Sequence, residues 1–400
     1  MNILIVTQYF YPETFRVNAL AVELKKRGHS VTVLTGYPQY PKGEIYPGYG
    51  FGIPYEKEWN GVKIERVKMR PRGHNVIGML LNCITFVTEG KKWVRRCEEK
   101  YDAIYVFEVS PVTVGLPALK YKKKFGTPIF FNVQDLWPEN VQEVLGISNR
   151  LIIGVINKIV DKIYKESDMI LCSSNGFVNN IKKRGVDEKK IKFWPQFCES
   201  PDFSTMIEPK RYNEDYFNVV FAGNIGDAQG LDLLINAADI LREEKVRWHI
   251  VGDGRSRESL EKMVREKCLE DQVKFVGRVS EADANGYITN ADCAYLSFKD
   301  CKLFDLTIPA KLQTYLACGT PILGAVGGES AEIIFASKSG LITKKTPESV
   351  ANAVRELMAL NDSERVKMKE SAQAYYRNMF TIDIAVDNLI KYISDVKDFV

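Results

Sequence analysis

Hydrophobic positions in the first half of the chain alternate between short unbroken runs and longer stretches with helical spacing. Asn2–Thr7 reads as a buried strand. Thr14–Arg27 carries Val17, Leu20, Ala21 and Leu24 at helical spacing and stops at Gly28. Val31–Thr35, Val62–Val67, Ala103–Phe107, Pro128–Val133 and Met169–Cys172 are further strands, with Val76–Cys97 and Leu151–Lys165 the main helices among them. Unbroken apolar strands separated by helices predict a parallel sheet covered on both faces.

The rhythm breaks at Glu199–Phe217, a polar stretch with Pro201 and Pro209 that reads as a linker. It then restarts. Asn218–Ala222, Val246–Val251, Gln272–Val276, Asp292–Leu296 and Pro321–Gly324 are strands. Leu231–Glu243, Ser256–Lys267, Glu281–Thr289, Pro309–Cys318 and Ser330–Ala336 are helices, and residues 346–398 read as almost wholly helical. The expected fold is α/β with two Rossmann-like, doubly wound parallel-sheet domains: 1–200, then 215–380, with 381–400 as a terminal helix. A chain of 400 residues is too long for one ordinary core. Doubly wound domains bind ligands outside the carboxyl ends of their strands, so the loops there are the candidates for chemistry.

Composition narrows the class. Hydrophobic residues at 45% and charged residues at 26% fit a globular chain and exclude a disordered one. Nothing approaches the ~18 unbroken apolar residues of a membrane span. The start lacks the basic segment of a signal peptide. The eight cysteines form no C-x-x-C pair and read as free thiols of a reducing cytosol. His29, His74 and His249 make no zinc-like cluster, so no metal is expected. Residues 1–200 hold 30 basic and 20 acidic side chains, against 25 and 31 in the remainder. That asymmetry suggests different partners for the two halves.

In the second half, Gly223, Asn224, Gly226, Gln229 and Gly230 make a glycine-rich loop between a strand and a helix. Such a loop lets a ligand approach backbone amides, and the helix start favours phosphate; a tight turn alone would look the same. Gly252 and Asp253 follow the next strand, and Gly277 and Arg278 the one after. Three glycine turns in succession suggest a nucleotide along one rim of the sheet. Asp253 serves equally well as a helix cap, and Arg278 as a solvated charge. Lys311 falls in the first turn of a helix opened by Pro309, where a cation opposes the helix dipole unless an anion is present. The plainer reading is that Lys311 snorkels to solvent. Gly327, Gly328 and Glu329 form another loop after a strand, placed to approach a sugar.

In the first half, Tyr9 and Glu13 end the first strand and open the first helix, while Tyr37 and Tyr40 sit in a Tyr/Pro/Gly-rich loop after the second. Aromatic faces and a carboxylate suit a saccharide acceptor; a packed aromatic turn is the alternative. Asp135 follows another strand, as a carboxylate facing the ligand or as a helix cap. Val76–Val87 is apolar nearly all round and leads into Lys91, Lys92, Arg95 and Arg96, with a second basic run at Lys120, Lys122, Lys123 and Lys124. Residues 76–96 and 120–124 could dock on anionic lipid or form an internal helix with a solvated basic end. No nucleic-acid-reading motif accompanies the charge.

Together, TQYFYPE (7–13), TGYPQYPKG (35–43), QDLWPE (134–139), AGNIGDAQGL (222–231) and IPAKLQTYLACGTPIL (308–323) resemble retaining glycosyltransferases of family four, with the GT-B fold. The likeness covers essentially the whole chain and is closest to the bacterial O-antigen and capsule branch that includes N-acetyl-L-fucosamine transferases. It implies a UDP-sugar or related donor held mainly by the second domain. It implies an acceptor held by the first, often an undecaprenyl-pyrophosphate-linked sugar. The final helix is expected to cross back onto the first domain. The family typically uses no metal. The expected setting is cytoplasmic, with room for peripheral contact at the inner face of the plasma membrane.

The resemblance implies a retaining hexosyltransferase, in which Asp135 and Lys311 are the expected catalytic residues. Lys311 neutralises the diphosphate and Asp135 orients the acceptor or stabilises charge on the sugar. Gly223, Asn224, Gln229, Gly252, Asp253, Arg278, Thr314, Gly327, Gly328 and Glu329 line the donor, and Tyr9, Glu13, Tyr37 and Tyr40 the acceptor. Many relatives carry Arg and Lys where this chain has Asn224 and Gln229, and two glutamates where it has Leu306 and Thr314. A nucleotide-sugar epimerase of related fold and a non-catalytic partner subunit are the competing readings.

Overall fold

A computed structural model describes residues 1–199, 201 and 212–397. Residues 202–211 of the expected linker lie outside the described residues. The chain divides into two compact units, one of residues 1–196 with 382–400, the other of residues 197–381.

The first unit is built on eight strands: β1 (Asn2–Val6), β2 (Ser30–Thr35), β3 (Glu58–Trp59), β4 (Val62–Arg66), β5 (Ala103–Glu108), β6 (Ile129–Val133), β7 (Met169–Cys172) and β8 (Ile191–Phe193). Their order in the sheet is β3-β4-β2-β1-β5-β6-β7-β8. All neighbours are parallel except the short β3, which pairs antiparallel with β4. Every residue of β5, β6 and β7 is buried, as strands covered on both faces require.

The second unit has β9 (Phe217–Ala222), β10 (Val246–Val251), β11 (Val273–Gly277), β12 (Cys293–Ser297), β13 (Ile322–Ala325) and β14 (Gly340–Ile342). They are all parallel, in the order β11-β10-β9-β12-β13-β14. In its own succession this is the 3-2-1-4-5-6 order of a doubly wound sheet. The order reverses between β9 and β12, and in the first unit between β1 and β5, so the carboxyl ends of those strands are the predicted ligand positions. Helices pack both faces of the second sheet, giving one core around Trp248 and Tyr295 and another around Tyr315 and Leu316.

Local chemistry sets the helix ends. Asn75 caps Val76–Arg96 by accepting from the Gly78 amide, and Asn149 caps Arg150–Glu166 in the same way. Residues 346–397 resolve into three helices, Pro347–Met358, Asp362–Met379 and Ile382–Lys397. The last belongs to the first unit. Arg27 bridges Asp383 and Asp387 there, and the Trp194 indole donates to the Ala385 carbonyl at 3.0 Å. All eight cysteines are free. Among the described residues no helix is long and apolar enough to cross a membrane.

Candidate functional site

The carboxyl end of β9 is shaped by backbone crowding. Gly223 has φ +141° and Gly252, after β10, has φ +133°. A Cβ on Gly252 would lie 1.9 Å from the Gly223 carbonyl oxygen, so the two loops touch through bare backbone. The glycine amides were expected to face a ligand, and the structure corrects this. Gly223 N donates to Val251 O at 2.9 Å, Ile225 N to Asp253 O at 2.9 Å and Gly252 N to Gly277 O at 2.8 Å. Gly226 N donates to the Gln229 side-chain oxygen at 3.0 Å, and Gly254 N to Asp253 Oδ1 at 2.8 Å. Three of these amides meet carbonyls of the neighbouring strand end or loop and two meet side-chain oxygens of their own loop, so none of the five is offered to a ligand.

What the rim offers is an amine. Lys311 occupies the first turn of helix Ala310–Cys318. Its Nζ is buried and has no hydrogen-bond partner among the described residues. It lies 4.2 Å from the Phe221 ring centre and 5.7 Å from that of Phe298. Phe221 is on β9 and Phe298 follows β12, so the nitrogen sits where the strand order reverses. A Cβ on Gly223 would come 2.8 Å from Lys311 Cε, which keeps that position bare. Loss of solvent pushes the Lys311 pKa down to about 7. The solvent-snorkelling reading therefore fails.

The other positions expected to face a donor divide by burial. Gly327 and Gly328 open helix Gly328–Ser337 against Asp305, with buried Glu329 in its first turn. The leading amides of that helix have no intrahelical acceptor and carry the positive end of its dipole. Thr314 turns its hydroxyl to the Ala310 carbonyl at 3.2 Å and to the Cys198 sulfur at 3.6 Å. Asn224, Asp253 and Arg278 are exposed, and Asp253 lies 3.9 Å from Arg257.

In the first unit, Tyr9 is buried and stacks on Phe15 with ring centres 5.1 Å apart. Tyr40, 44% exposed, meets Tyr9 edge-on at 5.9 Å, while Tyr37 is buried against Phe51. Glu13 is only 2% exposed. Its oxygens accept from the amides of Gln39 at 2.8 Å, Tyr40 at 2.7 Å and Phe10 at 3.2 Å. Burial raises its pKa while those three amides oppose the rise. Glu13 thus fastens the tyrosine loop to the end of β1, and of the three tyrosines expected at an acceptor only Tyr40 is exposed. Asp135, half-buried after β6, accepts from Ser110 N at 3.1 Å and Ser110 Oγ at 2.7 Å.

Helix Val76–Arg96 is two-faced rather than apolar all round. Asn82, Phe86 and Val87 are buried, while Val76, Ile77, Leu80 and Ile84 are exposed. Leu151, Ile152 and Val155 of helix Arg150–Glu166 are exposed as well. Lys91 has its pKa lowered by burial and by the charges of Lys162, Lys120 and Arg95, which places these cations together. Lys122 and Lys124 instead hold the fold. Lys122 pairs with Asp168 at 2.6 Å, and Lys124 donates to the carbonyls of Val94, Arg95 and Cys97.

Residues 15–199 match the model of glycosyltransferase family 4, and residues 202–375 that of glycosyl transferases group 1. The chain belongs to the group 1/family 4 glycosyltransferases. WcaI of Escherichia coli (strain K12), assigned provisionally as a colanic acid biosynthesis glycosyl transferase, is 23% identical over 80% of this chain and 82% of its own length. The amylovoran biosynthesis glycosyltransferase AmsK of Erwinia amylovora is 21% identical over 62% of this chain and 61% of its own. Sucrose-phosphate synthase from Thermosynechococcus elongatus superposes with a TM-score of 0.74 at 14% identity, covering 100% of both chains. Anabaena HepE in complex with UDP gives 0.71 at 13%, over 99% of this chain and 100% of its own. These structural likenesses, at such identities, establish the shared fold.

Sequence reasoning missed two features of this glycosyltransferase. Glu108 closes β5 fully buried beside Asp135, yet one acidic residue after an apolar run looks like a strand boundary. Phe221 and Phe298 flank Lys311, but as strand and loop hydrophobics they read only as core.

Proposed function

We propose that this glycosyltransferase moves a hexose from a UDP-sugar to a lipid-linked saccharide with retention, in the synthesis of a surface polysaccharide. The observation that carries the reading is the lone buried amine of Lys311 at the strand-order reversal of the second unit. A buried amine without a counter-charge is costly, and a diphosphate would supply one. The first turn of helix Gly328–Ser337 adds a second positive pole. UDP in HepE and the polysaccharide roles named for WcaI and AmsK support the choice of donor and pathway class.

In the transfer, the bond from the anomeric carbon to the diphosphate oxygen breaks and a bond to the acceptor oxygen forms on the same face. The acceptor proton passes to the departing phosphate. Lys311, protonated once the diphosphate is bound, stabilises the charge that develops on the leaving group. Asp135 orients the acceptor or faces the positive sugar. Tyr40 offers a flat face to the acceptor saccharide. The exposed apolar side chains of the two helices, and the cation cluster of Lys91, Lys120, Lys162 and Arg95, suit contact with an anionic bilayer that holds a lipid-linked acceptor.

A thermal-shift screen of UDP-, GDP- and ADP-sugars tests the donor, since a ligand that binds only the native state raises its stability. The expected result is a UDP-sugar shift that vanishes in Lys311→Ala. Equal shifts for all three nucleotides, or none, would overturn the donor reading. Isomerised donor recovered without acceptor would favour an epimerase.

A further inference from the structure

The carboxyl ends of β5 and β6 carry two carboxyl groups, and the mechanism above uses only Asp135. The other, Glu108, is the last residue of β5 and is 0% exposed. Its Oε2 accepts from the backbone amides of Gln134 at 3.2 Å and Asp135 at 3.3 Å. The register of the two strands ends at Glu108 and Val133, and Gln134 N also donates to the Glu108 carbonyl at 3.1 Å, so the Asp135 amide is the contact that the side chain alone supplies. Asp135 answers in the opposite direction, its Oδ2 accepting from Ser110 N and Ser110 Oγ, two residues beyond Glu108. Asn140 adds a bond to the same Ser110 hydroxyl at 3.3 Å. A side chain of the β5 end thus holds the backbone of the β6 loop, and a side chain of the β6 loop holds the backbone after β5.

We propose that Glu108 is a positioning residue for the transfer reaction, fixing the Gln134–Asp135 turn and through it the direction of the Asp135 carboxylate. This rests on the reading that Asp135 acts in transfer. Three observations favour a positioning role over simple packing. Glu108 closes β5, one of the two strands at which the order of this sheet reverses. Its bonds go to the amide of Asp135 itself and to the residue before it. Its other oxygen, Oε1, is buried and finds no partner outside the β6 loop among the described residues.

Burial favours the neutral acid at this position. Burial raises its pKa well above the usual carboxylate range, and the nearby Asp135 charge raises it further. The two amides and the Trp137 indole only partly oppose this. Tyr164, with Arg184, Glu139 and Cys172 around it, is the other titratable neighbour. Glutamine, equally long and neutral, can accept from both amides and is the faithful substitute.

The test compares Glu108→Gln, Glu108→Asp, Glu108→Ala, Asp135→Asn and the Glu108→Ala/Asp135→Asn double variant in the full chain. Turnover is read with the UDP-sugar of largest thermal shift and a polyprenyl-diphosphate-linked N-acetylglucosamine, alongside UDP affinity. Glu108→Gln is expected to stay within about threefold of wild-type kcat, with the acid limb of its kcat/KM profile in place, because it removes no charge. Glu108→Asp, whose shorter arm withdraws from both amides, and Glu108→Ala are expected to lose kcat about 10²-fold with UDP affinity unchanged. In the double variant the two losses should not multiply, since Glu108 acts through Asp135. Multiplying losses, or Glu108→Gln as damaged as Glu108→Ala, would overturn the positioning role alone. Full activity in Asp135→Asn would instead sink the underlying role of Asp135. If Glu108→Ala does not fold, Glu108→Asp against Glu108→Gln decides.

Discussion

The Lys311 amine sits 4.2 Å from the centre of the Phe221 ring, with no carboxylate or carbonyl within hydrogen-bonding reach among the described residues. An aromatic face returns only about 0.5–2 kcal/mol to a desolvated ammonium, far less than the water it replaces. The amine therefore gives up its proton readily, and its pKa falls from 10.5 to about 7.

The linkage makes Lys311→Met stabilising. The unfolded lysine is charged below pH ~10.4 and the folded one is largely neutral above pH 7. The cost of keeping the lysine folded therefore grows as pH falls from about 10.5 to 7 and is constant below that. At pH 7, Lys311→Met should gain roughly 2–4 kcal/mol in urea unfolding, with the gain vanishing towards pH 10.5. Transfer activity should drop about 10²–10³-fold in the same variant. A less stable Lys311→Met protein would refute this account of the site.

Donor binding should carry a proton with it. At pH 8 most Lys311 is neutral in the free protein, and a bound diphosphate restores its charge. Calorimetric titration with UDP in two buffers of different ionisation enthalpy should report uptake approaching one proton at pH 8 and much less at pH 6. Lys311→Met should abolish the buffer dependence.

Removing the Glu13 carboxylate orphans three buried amides, those of Phe10, Gln39 and Tyr40. Glu13→Ala is expected to cost about 2–4 kcal/mol in denaturant unfolding. It should raise the acceptor KM through the loosened tyrosine loop while leaving UDP affinity unchanged.

The exposed apolar side chains give a membrane prediction. Ile77→Ser with Leu80→Ser, or Leu151→Ser with Val155→Ser, should reduce cosedimentation with phosphatidylglycerol vesicles at least tenfold. High salt should weaken the wild-type interaction, as the Lys91, Lys120 and Lys162 charges imply. The UDP thermal shift should survive both pairs of changes.

The strands were legible because both parallel sheets need unbroken apolar runs, and the place of Lys311 in a first helical turn because Pro309 marks where that helix opens. Other features depended on distant partners. The carboxylate of Glu13 is claimed by residues 26 and 27 positions away. The loop amides of Gly223 and Gly252 are consumed by the register of β9, β10 and β11, which no local pattern encodes. Strands β8 and β14, three residues each, are too short to show a period. Lys122 and Lys124 belonged to a basic run read as lipid-docking or solvated, whereas each finds an acceptor on another element.

The return of helix Ile382–Lys397 to the first unit makes the second unit an insertion, entered after Gln196 and left before Ile382. Residues 197–381 can therefore be cut out as one uninterrupted piece for spectroscopy with nucleotides. The first unit cannot, because a stop codon after Thr381 would strip the carboxylates of Asp383 and Asp387 from Arg27 and uncover the Trp194 indole. A premature truncation near the carboxyl terminus would thus damage the half of the molecule that is translated first.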